Sequence, residues 1–229
     1  VAPTTFTSVV AFLGVAAVFV IICLYYCALV FQWSIGYLYV GLVGCSILFN
    51  AACLKAWNPT LIRQRAGMRR GTKKWDGIFV VFTSIASIAM IVVALNERIA
   101  ARPSLPNKQW LTNALIVYFP GWFIVISSMA VNPFFEKTVR IQKERSHVVV
   151  DKGPYTVVRH PGYVGFSLWV ISTPLLLNSR SMRLWGCVLL LVVALVVRTY
   201  FEDQTLQKEL KGYKAYTKRV KFRLIPGLW

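Results

Sequence analysis

Long apolar runs alternate with short polar breaks along this chain, and the runs are too long for a water-soluble core. No charged residue occurs from Val1 to Leu54. That is far beyond the ~18 consecutive apolar residues that suggest one spanning helix, so the stretch must hold more than one. The break at Gln32, Trp33, Ser34 and Gly36 divides it into a first span, Phe6 to Val30, and a second, Tyr37 to Leu54. The third run is Ile78 to Leu95. The fourth is Trp110 to Val131, in which Pro120 and Gly121 predict a kink. Beyond Tyr163 the runs shorten to Tyr163–Leu177 and Leu184–Val197, separated by a charged break from Asn178 to Arg183. At ~1.5 Å per residue these two fall short of a ~30 Å hydrocarbon core. Either their ends extend, or they form a shallow hairpin that opens a cavity.

The pattern predicts an all-α integral membrane protein of about six transmembrane helices, the last two a short hairpin. The tail from Arg198 to Trp229 is polar and lysine-rich and is expected to fold back over the inner mouth of that hairpin. Its first part reads as helix, with Leu206 and Leu210 four apart and Gly212 placed to end it. The loop from Trp57 to Asp76 opens on an Asn58-Pro59 turn and is expected to include an interfacial helix. Asn50, polar within the second span, reads as an interhelical hydrogen-bonding residue. Two regions follow: a membrane region of four spans over 1–131, and a C-terminal region over 132–229 that holds most of the chemistry.

Charge changes the picture in one respect. The chain has 229 residues, of which 26 are Lys or Arg and 8 are Asp or Glu, a formal net charge of +18. Such a surplus invites a nucleic-acid reading, but its distribution excludes it. The basic residues concentrate in Lys55–Lys74, Lys137–Arg159 and Arg198–Arg223, with few in the alternate loops at Arg98, Arg102, Lys108, Arg180 and Arg183. That asymmetry is the positive-inside pattern, which puts both termini and the heavy blocks on the cytoplasmic side, where they also suit anionic membrane lipids. The N-terminus lacks the basic n-region of a cleavable signal peptide. The five cysteines lie in apolar runs away from any His or carboxylate cluster, so neither a disulfide frame nor a metal site is expected.

Chemistry is densest from His147 to Gly165, HVVVDKGPYTVVRHPGYVG. Pro161 suits the first turn of a helix, where its missing N–H would be unpaired anyway, so Arg159 and His160 stand at the mouth of a membrane helix. His147 and His160 are the only histidines, and their closeness favours a site over two unrelated structural roles. A second group, Arg198, Glu202 and Asp203, lies where the last apolar run ends. Spacing alone leaves two readings open. One is an i,i+4 ion pair with a snorkelling arginine; the other is a site in which the carboxylates meet a cation and the arginine meets a carboxylate.

The order and spacing of these residues resemble the membrane methyltransferases related to isoprenylcysteine carboxyl methyltransferase, whose C-terminal region is similar to that of the phospholipid N-methyltransferases. The pattern stands here as His147, Val149-Val150, Gly153, Tyr155, Arg159-His160-Pro161, Tyr163, Arg198, Glu202-Asp203, Leu206, Tyr213 and Tyr216. It covers about the last 85 residues; the first four spans match only in hydropathy. Two positions depart from the family: its usual second glutamate is Asp203, and the phenylalanine-glycine before the tyrosines is replaced by Leu210, Lys211 and Gly212. The resemblance implies a cytosol-facing pocket for S-adenosylmethionine, covered by the C-terminal tail, with a lipophilic or prenylated substrate entering between helices. By position it implies cofactor binding by His147, Gly153, Tyr155, Arg159, His160, Tyr163, Glu202 and Asp203. Arg198 and Glu202 would be catalytic, Arg198 orienting the acceptor.

These residue types suit methyl transfer. An in-line displacement needs alignment and exclusion of water more than acid–base chemistry. A carboxylate acceptor is already anionic, and an arginine fixes it bidentately; an amine acceptor would need a base, with Glu202 or His160 as candidates. Carboxyl O-methylation of an isoprenylcysteine-like molecule is the expected activity. The alternatives are phospholipid N-methylation, an NADPH-dependent sterol-type reductase using the basic Lys211–Arg223 region for phosphate, and a non-enzymatic lipid-binding adaptor.

Overall fold

The computed structural model describes residues 34–64, 71–100 and 108–229. The expected first span, part of the basic loop and part of the outer loop lie outside the described residues. Those described fold as helices with irregular connections: α1 (Ser34–Trp57), α2 (Pro59–Gln64), α3 (Lys74–Ala100), α4 (Lys108–Val131), α5 (Pro161–Leu176), α6 (Met182–Glu209) and α7 (Tyr213–Arg219). Four of them, α1, α3, α4 and α6, are long and apolar enough to cross a membrane. Their outward faces keep large apolar side chains exposed, among them Leu48, Ile78, Ile116, Phe123 and Leu189, as a lipid-facing surface requires.

A short helix, α2, follows the Asn58-Pro59 turn, in the loop where the sequence leads to the expectation of an interfacial helix. Asn58 fixes it by donating from Nδ2 to the carbonyls of Met129 (3.0 Å) and Asn132 (3.3 Å). Met129 lies in the last turn of α4, where helix geometry leaves carbonyls without intrahelical partners; the Asn132 carbonyl, just beyond the helix, also accepts from the Phe135 N–H at 3.3 Å. Leu54 and Leu61 pack there against Val125 and Met129. Higher in the bundle, Tyr118 of α4 donates to Ser46 of α1 at 2.8 Å. Asn50, one turn further along α1, has an Oδ1 that is buried and finds no hydrogen-bond partner among the described residues.

The tightest packing joins α4 to α5. Gly121 and Gly165 face each other so closely that a Cβ on Gly165 would lie 2.6 Å from the Gly121 carbonyl oxygen and 2.7 Å from Val125 Cγ2. The glycine beside Pro120 thus serves close backbone approach, while α4 continues as helix through the proline. On the other side, α3 packs along α6 through Ala86, Met90, Leu184, Val188 and Leu191.

The two short C-terminal runs resolve differently from each other. α5 keeps to 16 residues, about 24 Å at ~1.5 Å per residue. α6 has 28 residues, about 42 Å by the same rise, because helix continues from the apolar run into the polar tail. Ser181 caps its start, accepting from the backbone N–H of Arg183 and Leu184. Consequently Arg198, Glu202 and Asp203 stand on the same continuous helix that packs through the bundle by Leu184, Val188 and Leu191. The helix ends at Glu209, and Gly212, with φ of 86°, starts α7 instead of ending α6.

Candidate functional site

The segment between α4 and α5 has no long helix, and its backbone is held by side chains. Gly153 takes a positive φ of 56° and opens a 3-10 turn, Gly153–Thr156, that turns Tyr155 inward. The Tyr155 hydroxyl accepts from Asn132 Nδ2 at 2.8 Å, and its carbonyl accepts from the Tyr216 hydroxyl at 2.6 Å. Arg159 and His160 then meet the tail: their backbone N–H groups donate to the carbonyls of Phe222 (2.9 Å) and Arg223 (3.0 Å). Pro161 opens α5 as the sequence predicts, with His160 at its N-cap.

These elements enclose a cavity of about 330 Å³ with the last turns of α6 and with α7, a size suited to a small-molecule ligand. Of the residues expected in a site, His147, Tyr155, Arg159, His160, Tyr163, Arg198 and Glu202 line it; Gly153 and Asp203 do not. Gly153 acts one step back, through the turn that places Tyr155. Asp203 points away into a buried cluster and has 0% exposure. Its Oδ1 accepts from Arg159 Nε at 2.8 Å and the Tyr213 hydroxyl at 3.1 Å, with His160 Nε2 at 3.2 Å. Oδ2 accepts from Arg223 Nε at 2.8 Å, Gln207 Nε2 at 2.7 Å and Arg159 Nη2 at 3.1 Å. A carboxylate offers about four lone-pair sites, so Asp203 is saturated by the protein itself. Arg159 also donates from Nη1 to the Val220 (2.9 Å) and Lys221 (2.8 Å) carbonyls. The Arg159–Asp203 pair therefore joins α6, the start of α5 and the tail.

Glu202 is placed differently. It lines the cavity, and the Tyr163 hydroxyl donates a hydrogen bond to its Oε2. The i,i+4 pair with Arg198 is not what holds either residue. Arg198 instead reaches α3, donating from Nε to Asp76 Oδ1 (2.8 Å) and from Nη2 to Asp76 Oδ2 (3.2 Å) and the Lys137 carbonyl (2.8 Å). Its guanidinium carbon lies 5.5 Å from the centroid of the Tyr163 ring. The edge that would clamp an acceptor carboxylate bidentately is thus committed to Asp76, and only Nη1 has no protein partner among the described residues.

His147 stacks on Phe134, with centroids 4.3 Å apart. Burial pushes its pKa down to about 4, and Arg145 and Arg140 add to the shift. The ring is therefore neutral at pH 7 and presents a flat, uncharged wall. Burial likewise raises the Tyr155, Tyr213 and Tyr216 phenols, which stay protonated. Among the described residues no group of three or more His, Cys, Asp or Glu could hold a metal ion.

Sequence reasoning missed Asp76, Asn132 and the wall formed by Phe134, Phe135 and Glu136. For Asp76 a signal was present: it is the only acidic residue before Glu97, placed among basic ones. The wall residues carry no motif and meet the site only through the path of the chain.

Fold and site together define a polytopic helical membrane protein with a polar pocket closed by its C-terminal segment. Residues 114–208, from α4 through most of α6, match the model of the isoprenylcysteine carboxyl methyltransferase (ICMT) family. Protein-S-isoprenylcysteine O-methyltransferase of Rattus norvegicus is 30% identical over 127 residues, which are 52% of this chain and 42% of the rat protein. The Dictyostelium discoideum protein of the same name is 30% identical over 128 residues, 55% of this chain and 53% of its own length. The match thus spans about half the length of these relatives or less. The solved structure of the eukaryotic intramembrane Ras methyltransferase ICMT aligns with 100% of this chain and 99% of its own, at TM-score 0.52 and 18% identity, a likeness of fold.

Proposed function

We propose that this chain is an integral membrane S-adenosylmethionine-dependent methyltransferase that methylates the carboxylate of an isoprenylcysteine-like, lipophilic acceptor. The observation that carries the reading is the pairing in one cavity of Glu202 and Arg198, one helical turn apart on α6, each fixed by other residues and not by the other. A carboxylate and a guanidinium held apart in this way suit a cationic donor beside an anionic acceptor.

The lining fits the cofactor. Glu202 offers charge for a sulfonium or ammonium, and neutral His147 on Phe134 offers a flat wall for an aromatic base. Tyr155, Arg159, His160 and Tyr163 would complete the cofactor's surroundings, with Gly153 and Asp203 supporting them from behind. When bound, the cofactor supplies an electrophilic methyl group. The acceptor carboxylate is ionised at neutral pH, so no side chain has to remove a proton. Arg198 would orient the acceptor, and the tail and aromatic wall would exclude water.

The wider arrangement belongs to the same reading. Six helices cross or enter the membrane, with both termini and the cavity on the cytosolic side, where the basic blocks lie. The membrane region over 1–131 shapes the acceptor's entry and 132–229 holds the site; prenylated substrates and membrane lipids are the partners.

Calorimetric titration of S-adenosylhomocysteine into detergent-purified protein, with NADPH in parallel, tests the cofactor. Transfer of labelled methyl from S-adenosylmethionine to an N-acetylated S-farnesylcysteine tests the acceptor. Saturable binding of the first nucleotide alone, with transfer, supports the proposal; binding of NADPH alone would move the protein to the reductases.

A further inference from the structure

Asp76 lies on the first turn of α3, outside the region that matches the family, and is wholly buried. A buried carboxylate is tolerated only when its oxygens are satisfied, and here both are spent on the pocket. Oδ1 and Oδ2 hold the Nε–Nη2 edge of Arg198 at 2.8 and 3.2 Å, and Oδ2 also accepts the backbone N–H of Val139 at 2.6 Å. Lys137 and Val139 belong to the cavity wall. The same junction is stitched by Lys73, whose backbone N–H donates to the Val139 carbonyl at 3.1 Å, and by the Thr72 and Thr138 hydroxyls, 3.1 Å apart.

We infer that Asp76 is a positioning residue for the acceptor. It neutralises Arg198 and fixes its plane, so that the acceptor carboxylate meets a guanidinium already oriented and offering Nη1, not a mobile cation. A free arginine could turn its bidentate edge to any anion in the pocket. One clamped from behind accepts a carboxylate in a single direction, which is what alignment for displacement requires. The inference rests on the methyltransferase reading and adds to it that recognition of the acceptor is built partly by a helix of the membrane region.

The test is kinetic, with cofactor affinity as the control. In Asp76→Asn, kcat/KM for the S-farnesylcysteine probe should fall by at least about tenfold. The calorimetric affinity for S-adenosylhomocysteine should stay within about twofold, since Glu202 and the His147 wall are untouched. Because Asp76 acts through Arg198, adding Asp76→Asn to Arg198→Gln should change kcat/KM by less than about twofold, a non-additivity that a general structural role would not give. Should Asp76→Asn alone fail to fold, the charge-balanced double variant compared with Arg198→Gln makes the same comparison. Multiplicative losses, or cofactor affinity falling in step with kcat/KM, would overturn the inference. Failure of the unmodified protein to methylate the probe would instead remove the activity on which it rests.

Discussion

The Tyr163 ring carries the Arg198 guanidinium on its face while the Tyr163 hydroxyl donates to Glu202, so one side chain of α5 braces both charged groups that α6 brings to the cavity. Tyr163→Phe separates the two contacts, keeping the ring and deleting the donor. A hydrogen bond to a charged group contributes ~1.5–3 kcal/mol, which corresponds to roughly ten- to hundredfold in affinity. Calorimetry should therefore show S-adenosylhomocysteine binding weakened by about tenfold in Tyr163→Phe and abolished in Glu202→Ala.

Arg198→Ala gives the opposite pattern if the two charges have separate ligands. On the proposed reading cofactor affinity should hold while methyl transfer falls at least as far as in Asp76→Asn, because the acceptor would lose its cationic contact on α6. His160→Ala should behave like the Glu202 variant and lose cofactor binding, since its ring stacks on Tyr163 at 5.9 Å and contacts Asp203. Equal loss of binding in all three would mean that the cavity has no division of labour.

Asp203 differs from its neighbour in kind. Its carboxylate neutralises Arg159 and Arg223 within a buried cluster. Asp203→Asn leaves two guanidinium groups without their anion, and removing one partner of a buried pair costs ~3–5 kcal/mol. The expected outcome is a lower melting temperature and release of the tail, read as faster proteolysis after Val220, before any effect on the chemistry can be measured. A variant that melts with the unmodified protein would show that the cluster is not what holds the tail.

The two adjacent carboxylates explain what the sequence could and could not reveal. Period and length made the apolar helices legible, because burial in lipid leaves no other pattern, and Arg159-His160-Pro161 announced the start of α5 through the backbone chemistry of proline. Glu202 and Asp203 looked alike in the chain. A helix turns ~100° per residue, so neighbours face different ways, and only packing against α5 and the tail decides which one meets the cavity. Arg198 stood out in the chain at the end of the last apolar run, but the carboxylate it pairs with is Asp76, far away in sequence on α3. No local spacing encodes such a contact. The length of α6 stayed open for a related reason: hydropathy ends at Val197, whereas helix propensity and the contacts of Leu206 and Leu210 with Tyr213 and Tyr216 carry the helix on to Glu209.

Two glycines of α5 should respond differently to the same methyl group. At Gly165 the new Cβ meets backbone, 2.6 Å from the Gly121 oxygen and 2.9 Å from the Val125 nitrogen, and neither can yield without moving a helix. Overpacking of this kind costs ~1–3 kcal/mol, so Gly165→Ala should lower the melting temperature. At Gly162 the clash is with the Phe135 ring, 2.4 Å from Cε2. Phe135 and Gly162 both line the cavity, so Gly162→Ala should shift the ring and change ligand affinity with less loss of stability.

His147 gives a pH dependence whose sign is fixed. Burial and the neighbouring Arg145 and Arg140 hold its folded-state pKa at about 4. The unfolded value is ~6.5. Above pH ~6.5 neither state binds the proton and the residue is indifferent to pH. As pH falls below that value the unfolded chain takes up a proton that the folded protein refuses until about 4, so stability is lost through this window and the loss then levels off. The slope cannot exceed ~1.4 kcal/mol per pH unit and is smaller for a half-buried ring that solvent partly screens. Carboxylates titrate over part of the same range, so the informative quantity is a difference between variants. His147→Phe keeps an aromatic ring against Phe134 and cannot bind a proton. Its melting temperature should fall less than that of the unmodified protein between pH 7 and pH 5, and parallel curves would show that His147 is free to ionise in the folded state.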